Sequence, residues 1–180
     1  DFQILITTRC KITSFHTLEI KELDKDFTSL NEYISQLNPS KIFILVDENT
    51  HNHCLPILLP NLETDAPFEV IEIEAGEENK NIGTATQLWE IFSEMEADRK
   101  SLLINLGGGV VTDLGGFVAS THKRGIRFIN LPTTLLAMCD ASIGGKTGID
   151  HQYLKNVIGT FALPEAILFY PKFLDTLKFE

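Results

Sequence analysis

The feature that most constrains the fold is a set of short, continuous apolar runs at residues 41–46 (KIFILV), 101–106 (SLLINL) and 126–131. Each run is rich in Ile, Val or Leu and does not alternate regularly with polar residues. This pattern is typical of strands that are buried on both faces, as in a parallel sheet covered by helices. The runs therefore predict an α/β fold.

Helical patterns separate these runs. A capping box formed by Ser29 and Glu32 predicts a short amphipathic helix within residues 26–37. An apolar stripe that begins at Ile82 predicts a second helix, ending near residues 99–100. Shorter helical patterns occur at residues 113–122 and 134–138.

Weaker signals complete the alternation of strands and helices. Residues 69–73 alternate as a half-buried strand, and residues 166–169 predict a further strand. Residues 144–159 are rich in glycine and are interpreted as a loop, while the first ~20 residues suggest an antiparallel hairpin. Together these elements predict a Rossmann-like, open, mostly parallel sheet with flanking helices.

Length and composition limit the class of protein. The 180 residues suffice for one well-packed domain, and 43% of them are hydrophobic. No apolar stretch approaches the ~18 residues of a membrane span, so a membrane protein is not expected. The three cysteines include no CxxC pair, and no secretory segment is recognisable, which predicts a reduced, cytoplasmic setting.

Charge is unevenly distributed along the chain. The formal net charge of −10 disfavours nucleic acid as a partner, because proteins that bind it usually present a basic face. Residues 113–160 nevertheless carry five basic and three acidic side chains. Within them, the sequence GGKTG at 144–148 places Lys146 among exposed backbone N–H groups, which favours a small anionic ligand. It is not a P-loop, because Asp140 stands where the motif needs glycine.

Three glycines at 107–109 follow a predicted strand and precede a predicted helix. Free N–H groups at such a turn, together with the helix dipole, can receive a pyrophosphate. Thr112 replaces the third glycine of the usual GxGxxG dinucleotide fingerprint, so that fingerprint is absent. Gly115 and Gly116 are interpreted as positions where the helix packs closely against its neighbours.

Histidines and cysteines do not form a convincing site. His51, His53 and Cys54 lie within four residues of one another, too close in sequence to converge on a metal without a second pair of ligands. We therefore expect no metal site in this chain. His122 and His151 have no nucleophile placed beside them in sequence, so a Ser-His-Asp arrangement is not predicted.

From about Lys41 onward the motifs, in their order and spacing, closely resemble 3-dehydroquinate synthase. They are GGGVVTD, KRG, LPTTLL, DASIGGKTG and a Lys-Asn pair followed by glycine, at residues 107–113, 123–125, 131–136, 140–148 and 155–159. Leu154 replaces the usual glycine before the Lys-Asn pair, and Asp150 replaces the more usual asparagine. The combination of motifs is far more specific than any one glycine turn.

The resemblance implies an NAD-dependent enzyme of the shikimate pathway. Such an enzyme converts 3-deoxy-D-arabino-heptulosonate 7-phosphate to 3-dehydroquinate and phosphate, with transient oxidation and no net redox change. Residues 1–180 would be its NAD-binding α/β domain, the N-terminal half of a longer enzyme. A C-terminal helical domain that binds a divalent metal, zinc or cobalt, would then be absent from this chain.

The resemblance also implies the site residues. Asp140 would bind a sugar hydroxyl, Lys146 and Asn156 a carboxylate or phosphate, and Arg124 would reach the site of a neighbouring subunit in a homodimer. The implied cofactor contacts are Asp47, Asn49, Glu77, Lys80, Gly108, Gly109, Val110, Asp113, Thr133, Thr134, Lys146, Lys155, Phe173 and Thr176.

Three other functions stay open at this point. The chain could belong to another sugar phosphate cyclase, or to a metal- and NAD-dependent polyol dehydrogenase on the same scaffold. It could also act alone as a nucleotide-binding module.

Overall fold

The computed structural model describes residues 18–177, whose main feature is a six-stranded parallel sheet. Its strands follow the order β1-β8-β5-β4-β2-β3. They are β1 Glu19–Glu22, β2 Ile42–Asp47, β3 Phe68–Ile73, β4 Leu102–Gly107, β5 Arg127–Pro132 and β8 Ala166–Phe169. An antiparallel hairpin, β6 Lys146–His151 and β7 Leu154–Phe161, lies outside this sheet.

Helices cover both faces of the sheet. They are α1 Thr28–Leu37, α2 Glu48–His53, α3 Leu55–Leu58, α4 Ile82–Glu94 and α5 Gly109–Thr121, with a π-helical turn at Ala137–Ala141 and 3₁₀ turns at Leu59–Asn61, Glu77–Asn79, His122–Arg124 and Pro171–Thr176. None of the helices within residues 18–177 is both long enough and apolar enough to cross a membrane.

Strand β2 shows why a continuous apolar run is needed. Ile42 and Ile44 face the core beneath α1 and α3, whereas Phe43 and Leu45 face a second core beneath α4 and α5. Successive side chains of a strand point to opposite faces, so both sets must be apolar when both faces are covered. The predicted α/β architecture, with a parallel sheet and flanking helices, is thereby confirmed.

The order of the strands creates a crevice. From β2 the chain moves to β3 at one edge, then returns to β4 and continues through β5 towards the other edge. The direction of winding therefore reverses between β2 and β4. In open α/β sheets such a reversal opens a ligand-binding crevice at the carboxyl ends of the strands.

Gly115 and Gly116 confirm the predicted close packing of α5. A Cβ on Gly115 would collide with Oδ1 of Asn105 in β4, and a Cβ on Gly116 would lie 2.5 Å from Cγ2 of Thr147 in β6. One glycine thus lets α5 approach the sheet, and the other lets the hairpin approach α5.

Replacing Gly115 by alanine is expected to destabilise the protein by about 2 kcal/mol, because the added methyl group overpacks a closed core. Gly109→Ala in the same helix is the matched control, since its Cβ would meet only Ala141 Cβ at 3.5 Å. Denaturant unfolding of both variants checks the prediction. Equal stability of the two variants would contradict it.

Two predicted helix ends are wrong. Helix α1 begins at Thr28, whose N–H donates to Asp24 Oδ1 at 2.8 Å, while Ser29 is buried inside the first turn. Ser29 and Glu32 therefore form no capping box. Helix α4 ends at Glu94, several residues before 99–100.

Helix α5 begins earlier than predicted, at Gly109 rather than at Asp113. Gly108 occupies the N-cap with an extended backbone, and its carbonyl accepts the first helical hydrogen bond, from Thr112 N at 3.0 Å. The glycine turn and the start of the helix are therefore one structure.

The interpretation of residues 144–159 as a loop is wrong, because most of them form the β6–β7 hairpin. Gly148 and Gly159 face each other in its register, and a Cβ on Gly148 would lie 2.8 Å from the Ile158 carbonyl oxygen. These glycines permit close approach of two strands.

The hairpin predicted for the first ~20 residues falls largely outside the described part of the chain. The described end of that segment belongs to β1, which pairs in parallel with β8.

Candidate functional site

A cleft of about 830 Å³ lies between the start of α5, the π-helical turn and the β6–β7 hairpin. It brings together nine of the predicted site residues: Glu77, Lys80, Gly109, Val110, Asp113, Asp140, Lys146, Lys155 and Asn156. A larger cleft, of about 1040 Å³, lies between α1 and the segment before β3 and contains none of the predicted residues. We therefore assign the functional site to the smaller cleft.

Lys80 is the centre of the charged groups in this cleft. Its side chain is 4% exposed. The ammonium lies 3.0 Å from Glu77 Oε1, 3.4 Å from Asp113 Oδ2 and 3.8 Å from Asp150 Oδ1. It also donates to Asn156 Oδ1 at 2.9 Å. One buried cation thus joins the loop before α4, helix α5 and the hairpin.

These contacts shift the pKa values of the groups involved. Burial alone would lower the pKa of Lys80, but the three carboxylates around it raise that pKa overall. Burial alone would raise the pKa of Glu77. Hydrogen bonds and charge from Lys80 and Lys155 nevertheless hold the Glu77 pKa below its ordinary value. Lys155 Nζ lies 3.4 Å from Glu77 Oε1. Lys80 is therefore charged at neutral pH.

Asp113 behaves differently from Glu77. Desolvation raises the Asp113 pKa to about 6, despite the opposing effect of Lys80. Asp113 is the fifth residue of α5 and lines the cleft. A carboxyl group with such a pKa in a cleft is a common property of functional sites.

The Asp113 pKa predicts a pH dependence of stability. Because the folded-state pKa is raised, Asp113 favours the folded protein at low pH, and this contribution is lost as pH rises from about 4 through about 6. Asp113→Asn removes the ionisation. As pH rises through this interval, the free energy of unfolding of the wild type should therefore fall relative to that of Asp113→Asn. Unfolding measurements on both proteins check this, and a constant difference would contradict the assignment.

The start of α5 points free backbone donors at the cleft. No side chain caps this helix, because Gly108 stands at the N-cap. Thr134 packs against the turn, and a Cβ on Gly108 would lie 3.2 Å from Thr134 Cγ2. Uncapped N–H groups and the helix dipole favour an anion here.

Other predicted cofactor residues lie at the carboxyl ends of the strands without lining the cleft. Asp47 ends β2 and caps α2, accepting from Thr50 N at 2.8 Å and from Thr50 Oγ1 at 3.0 Å. Asn49 is exposed in the same helix, and Thr133 follows β5 with its N–H donating to the Gly107 carbonyl oxygen at 3.0 Å.

The predicted cofactor contact at Phe173 stays a prediction, and the structure limits it to the backbone. The Phe173 side chain is fully buried and packs against Phe27 and Tyr170, so it belongs to the core. Only its backbone remains a candidate contact. The carbonyl oxygen accepts from Thr176 Oγ1 at 2.7 Å, which makes this turn compact.

Arg124 does not join the other predicted residues in this chain. It is exposed in the 3₁₀ turn that follows α5. Since α5 starts beyond the carboxyl end of β4 and leads to the amino end of β5, Arg124 lies at the edge opposite the cleft. The structure therefore leaves its predicted role at a neighbouring subunit as a prediction.

Several residues of the cleft were not predicted from the sequence. Leu136, Ile143, Val157 and Phe161 supply apolar lining, and Asp150, next to the cleft, contacts Lys80 from the hairpin. The helix predicted at 134–138 is present as a π-helical turn, in which Ser142 N donates to the Ala137 carbonyl oxygen at 3.1 Å. Single-turn π-helices are frequent at functional sites, and this one contains Asp140.

The donor set suits a dinucleotide better than a metal. Within residues 18–177, no three His, Cys, Asp or Glu side chains converge as metal ligands. The cleft instead combines an uncapped helix start, ammonium groups and carboxylates, which match a pyrophosphate and ribose hydroxyl groups.

A family match and similar known sequences point to the same protein family. Residues 70–180 match the family described as 3-dehydroquinate synthase N-terminal. The 3-dehydroquinate synthase of Parabacteroides distasonis is 46% identical over 154 residues, covering 85% of this chain and 43% of the relative. The 3-dehydroquinate synthase of Pyrococcus furiosus is 45% identical over 152 residues, covering 84% of this chain and 45% of the relative.

Solved structures share the fold. A 2-epi-5-epi-valiolone synthase from Streptomyces hygroscopicus, with NAD⁺ and Zn²⁺ bound, has a TM-score of 0.81 and 27% identity, covering 95% of this chain and 48% of that chain. A 2-deoxy-scyllo-inosose synthase complexed with carbaglucose-6-phosphate, NAD⁺ and Co²⁺ has a TM-score of 0.79 and 24% identity. The match covers 86% of this chain and 43% of that chain.

The chain spans less than half the length of these curated relatives. The family match nevertheless covers most of the chain, including the whole cleft from Glu77 to Phe161. The chain belongs to the 3-dehydroquinate synthase family.

Proposed function

We propose that this chain is the NAD-binding part of a 3-dehydroquinate synthase. The complete enzyme would convert 3-deoxy-D-arabino-heptulosonate 7-phosphate to 3-dehydroquinate and phosphate. The observation that carries the proposal is the convergence of Lys80, Lys146 and Lys155 with the uncapped start of α5 at one cleft. Its family membership supports the same reaction.

In this proposal the glycine turn binds the cofactor pyrophosphate. The N–H groups of Gly108, Gly109 and Val110 donate to it, and the α5 dipole adds to the attraction. When bound, NAD⁺ would supply the transient oxidation of the substrate, in which a hydride is removed and later returned. The remaining cofactor contacts are assigned as in the resemblance, to Asp47, Asn49, Glu77, Lys80, Asp113, Thr133, Thr134, Lys146, Lys155, Thr176 and the backbone of Phe173.

The substrate is assigned to the hairpin side of the cleft. Because Asn156 Oδ1 already accepts from Lys80, the Nδ2 group is the one left to donate to a carboxylate or phosphate oxygen. Lys146 is exposed at the start of β6 and offers an ammonium to the same anionic groups. The Asp140 carboxylate accepts a hydrogen bond from a sugar hydroxyl.

The rest of the active site is assigned outside this chain. We assign the divalent metal, zinc or cobalt, to the additional part that the curated relatives possess. Arg124 would complete the site of a second copy, which makes the proposed enzyme a homodimer. Its exposed position away from its own cleft is compatible with that role.

A second function is a metal- and NAD-dependent polyol dehydrogenase. The fold supports it, because an iron-containing alcohol dehydrogenase from Thermotoga maritima has a TM-score of 0.72 at 18% identity, covering 89% of this chain and 48% of that chain. Another sugar phosphate cyclase is the nearer alternative. The charged cleft favours a phosphorylated substrate and hence a cyclase.

One assay separates these functions. The full-length enzyme that contains this chain is supplied with NAD⁺ and 3-deoxy-D-arabino-heptulosonate 7-phosphate, and phosphate and NADH are followed together. We expect one phosphate per substrate and no net NADH, because the hydride returns. Net accumulation of NADH, or no phosphate release, would overturn the proposal.

A further inference from the structure

The β6–β7 hairpin contains an irregularity at Asp150. Ile149 pairs with Ile158 and His151 pairs with Leu154, so the register shifts between these two pairs. Strand β7 therefore has two more residues than β6 in this interval. Bulges of this kind leave backbone groups unpaired and redirect side chains, and they are frequent beside active sites.

Asp150 satisfies the backbone that the irregularity leaves unpaired. Asn156, on the longer strand, has a φ of 54°, a left-handed conformation that is unusual for a residue other than glycine. Its N–H donates to Asp150 Oδ1 at 2.7 Å. The Asp150 side chain thus supports a strained backbone conformation at the residue that carries a predicted substrate contact.

Asp150 also connects the hairpin to the loop before α4. Its own N–H donates to the Lys80 carbonyl oxygen at 2.8 Å, and Asn81 pairs with it as an isolated bridge. Its Oδ1 lies 3.8 Å from Lys80 Nζ. The side chains of Asn156 and Lys80 meet at 2.9 Å, so Asp150 holds both partners of that hydrogen bond.

We propose that Asp150 is a positioning residue, which fixes Asn156 and Lys80 relative to each other at the cofactor and substrate cleft. The hydrogen bond from Asn156 N–H is the essential contact, and the negative charge is secondary. The consequence for ligand binding rests on the proposed function, whereas the contact itself does not.

Two substitutions separate the hydrogen bond from the charge. Asp150→Ala removes the acceptor and the charge, while Asp150→Asn keeps an Oδ1 acceptor in nearly the same shape. In the full-length enzyme, amide hydrogen exchange at Asn156 should become about tenfold faster in Asp150→Ala, as expected when an N–H loses its side-chain acceptor. Exchange in Asp150→Asn should stay close to that of the wild type.

NAD⁺ binding supplies the second measurement. The Kd for NAD⁺ should rise about tenfold in Asp150→Ala, because a misplaced contact weakens binding, and Asp150→Asn should restore it. Thermal unfolding of each variant establishes that it is folded.

Each outcome decides the proposal. Unchanged exchange at the Asn156 amide in Asp150→Ala would overturn it. It would also be overturned if Asp150→Asn lost exchange protection at Asn156, or affinity for NAD⁺, as much as Asp150→Ala does. Faster exchange with an unchanged Kd would remove the positioning role. If the wild-type enzyme does not bind NAD⁺, the proposed function fails, and the exchange rates still decide whether Asp150 holds Asn156.

Discussion

Replacing Lys80 by methionine is expected to destabilise the protein by about 3 kcal/mol at neutral pH, since removing one member of a buried ion network leaves its partners uncompensated. Three carboxylates, from Glu77, Asp113 and Asp150, would then face one another around an apolar side chain. Chemical denaturation measures the change. Lys100→Met is the matched control, because Lys100 is exposed and its expected change is within about 0.5 kcal/mol.

The loss caused by Lys80→Met should depend on pH. Without the ammonium, burial and the repulsion from neighbouring carboxylates raise the folded-state pKa of Asp113 further, and the main cause that lowers the Glu77 pKa is removed. Groups with raised pKa values favour the folded state at low pH, so the loss should shrink as pH falls to about 5. A loss that is the same at both pH values, or a variant as stable as Lys100→Met, would contradict the role given to Lys80.

Replacing Lys146 by alanine is expected to reduce turnover of the proposed substrate by about a hundredfold, as for other preorganised groups that stabilise developing charge. Lys146 lines the cleft beside Asn156 and supplies a positive charge for a carboxylate or phosphate. Because β6 is held by its pairing with β7, the loss of this exposed side chain should leave stability nearly unchanged.

Phosphate release from the full-length enzyme measures the effect of Lys146→Ala. Lys100→Ala is the control, since it removes an exposed lysine from a surface outside the cleft. Turnover by Lys146→Ala within about threefold of the control would contradict the assignment, because a direct charge contact is worth more than that.

The central strands could be predicted from the sequence because burial on both faces leaves a continuous apolar signature. Residues 42–46 of β2 are all buried, and the predicted run at 41–46 differs from the observed strand by one residue at each end. The edge strand β3 could also be predicted, because its buried residues, Ile71 and Ile73, alternate with more exposed ones.

The β6–β7 hairpin could not be predicted because glycine has more than one structural use. Glycines at 148 and 159 let two strands approach closely, whereas Gly144 and Gly145 have positive φ values of 88° and 67° in the turn that precedes the hairpin. A sequence shows both kinds as the same residue type, so the segment resembled a loop.

The site could be predicted residue by residue only where a motif marked it. The glycine turn pointed to Gly109, the GGKTG sequence to Lys146 and the resemblance to Asp113, and the structure brings all three into one cleft. Asp150 was missed as a contact because its importance depends on a register shift that appears only once the two strands are paired. Phe173 was assigned to a binding turn, although its apolar character equally marked a core residue.

The most direct test is a crystal structure of the full-length enzyme grown with NAD⁺. We expect the pyrophosphate within hydrogen-bond distance of the N–H groups of Gly108, Gly109 and Val110, with Lys80 still paired to Asp113. NAD⁺ bound elsewhere, or a glycine turn left empty at saturating NAD⁺, would contradict the account.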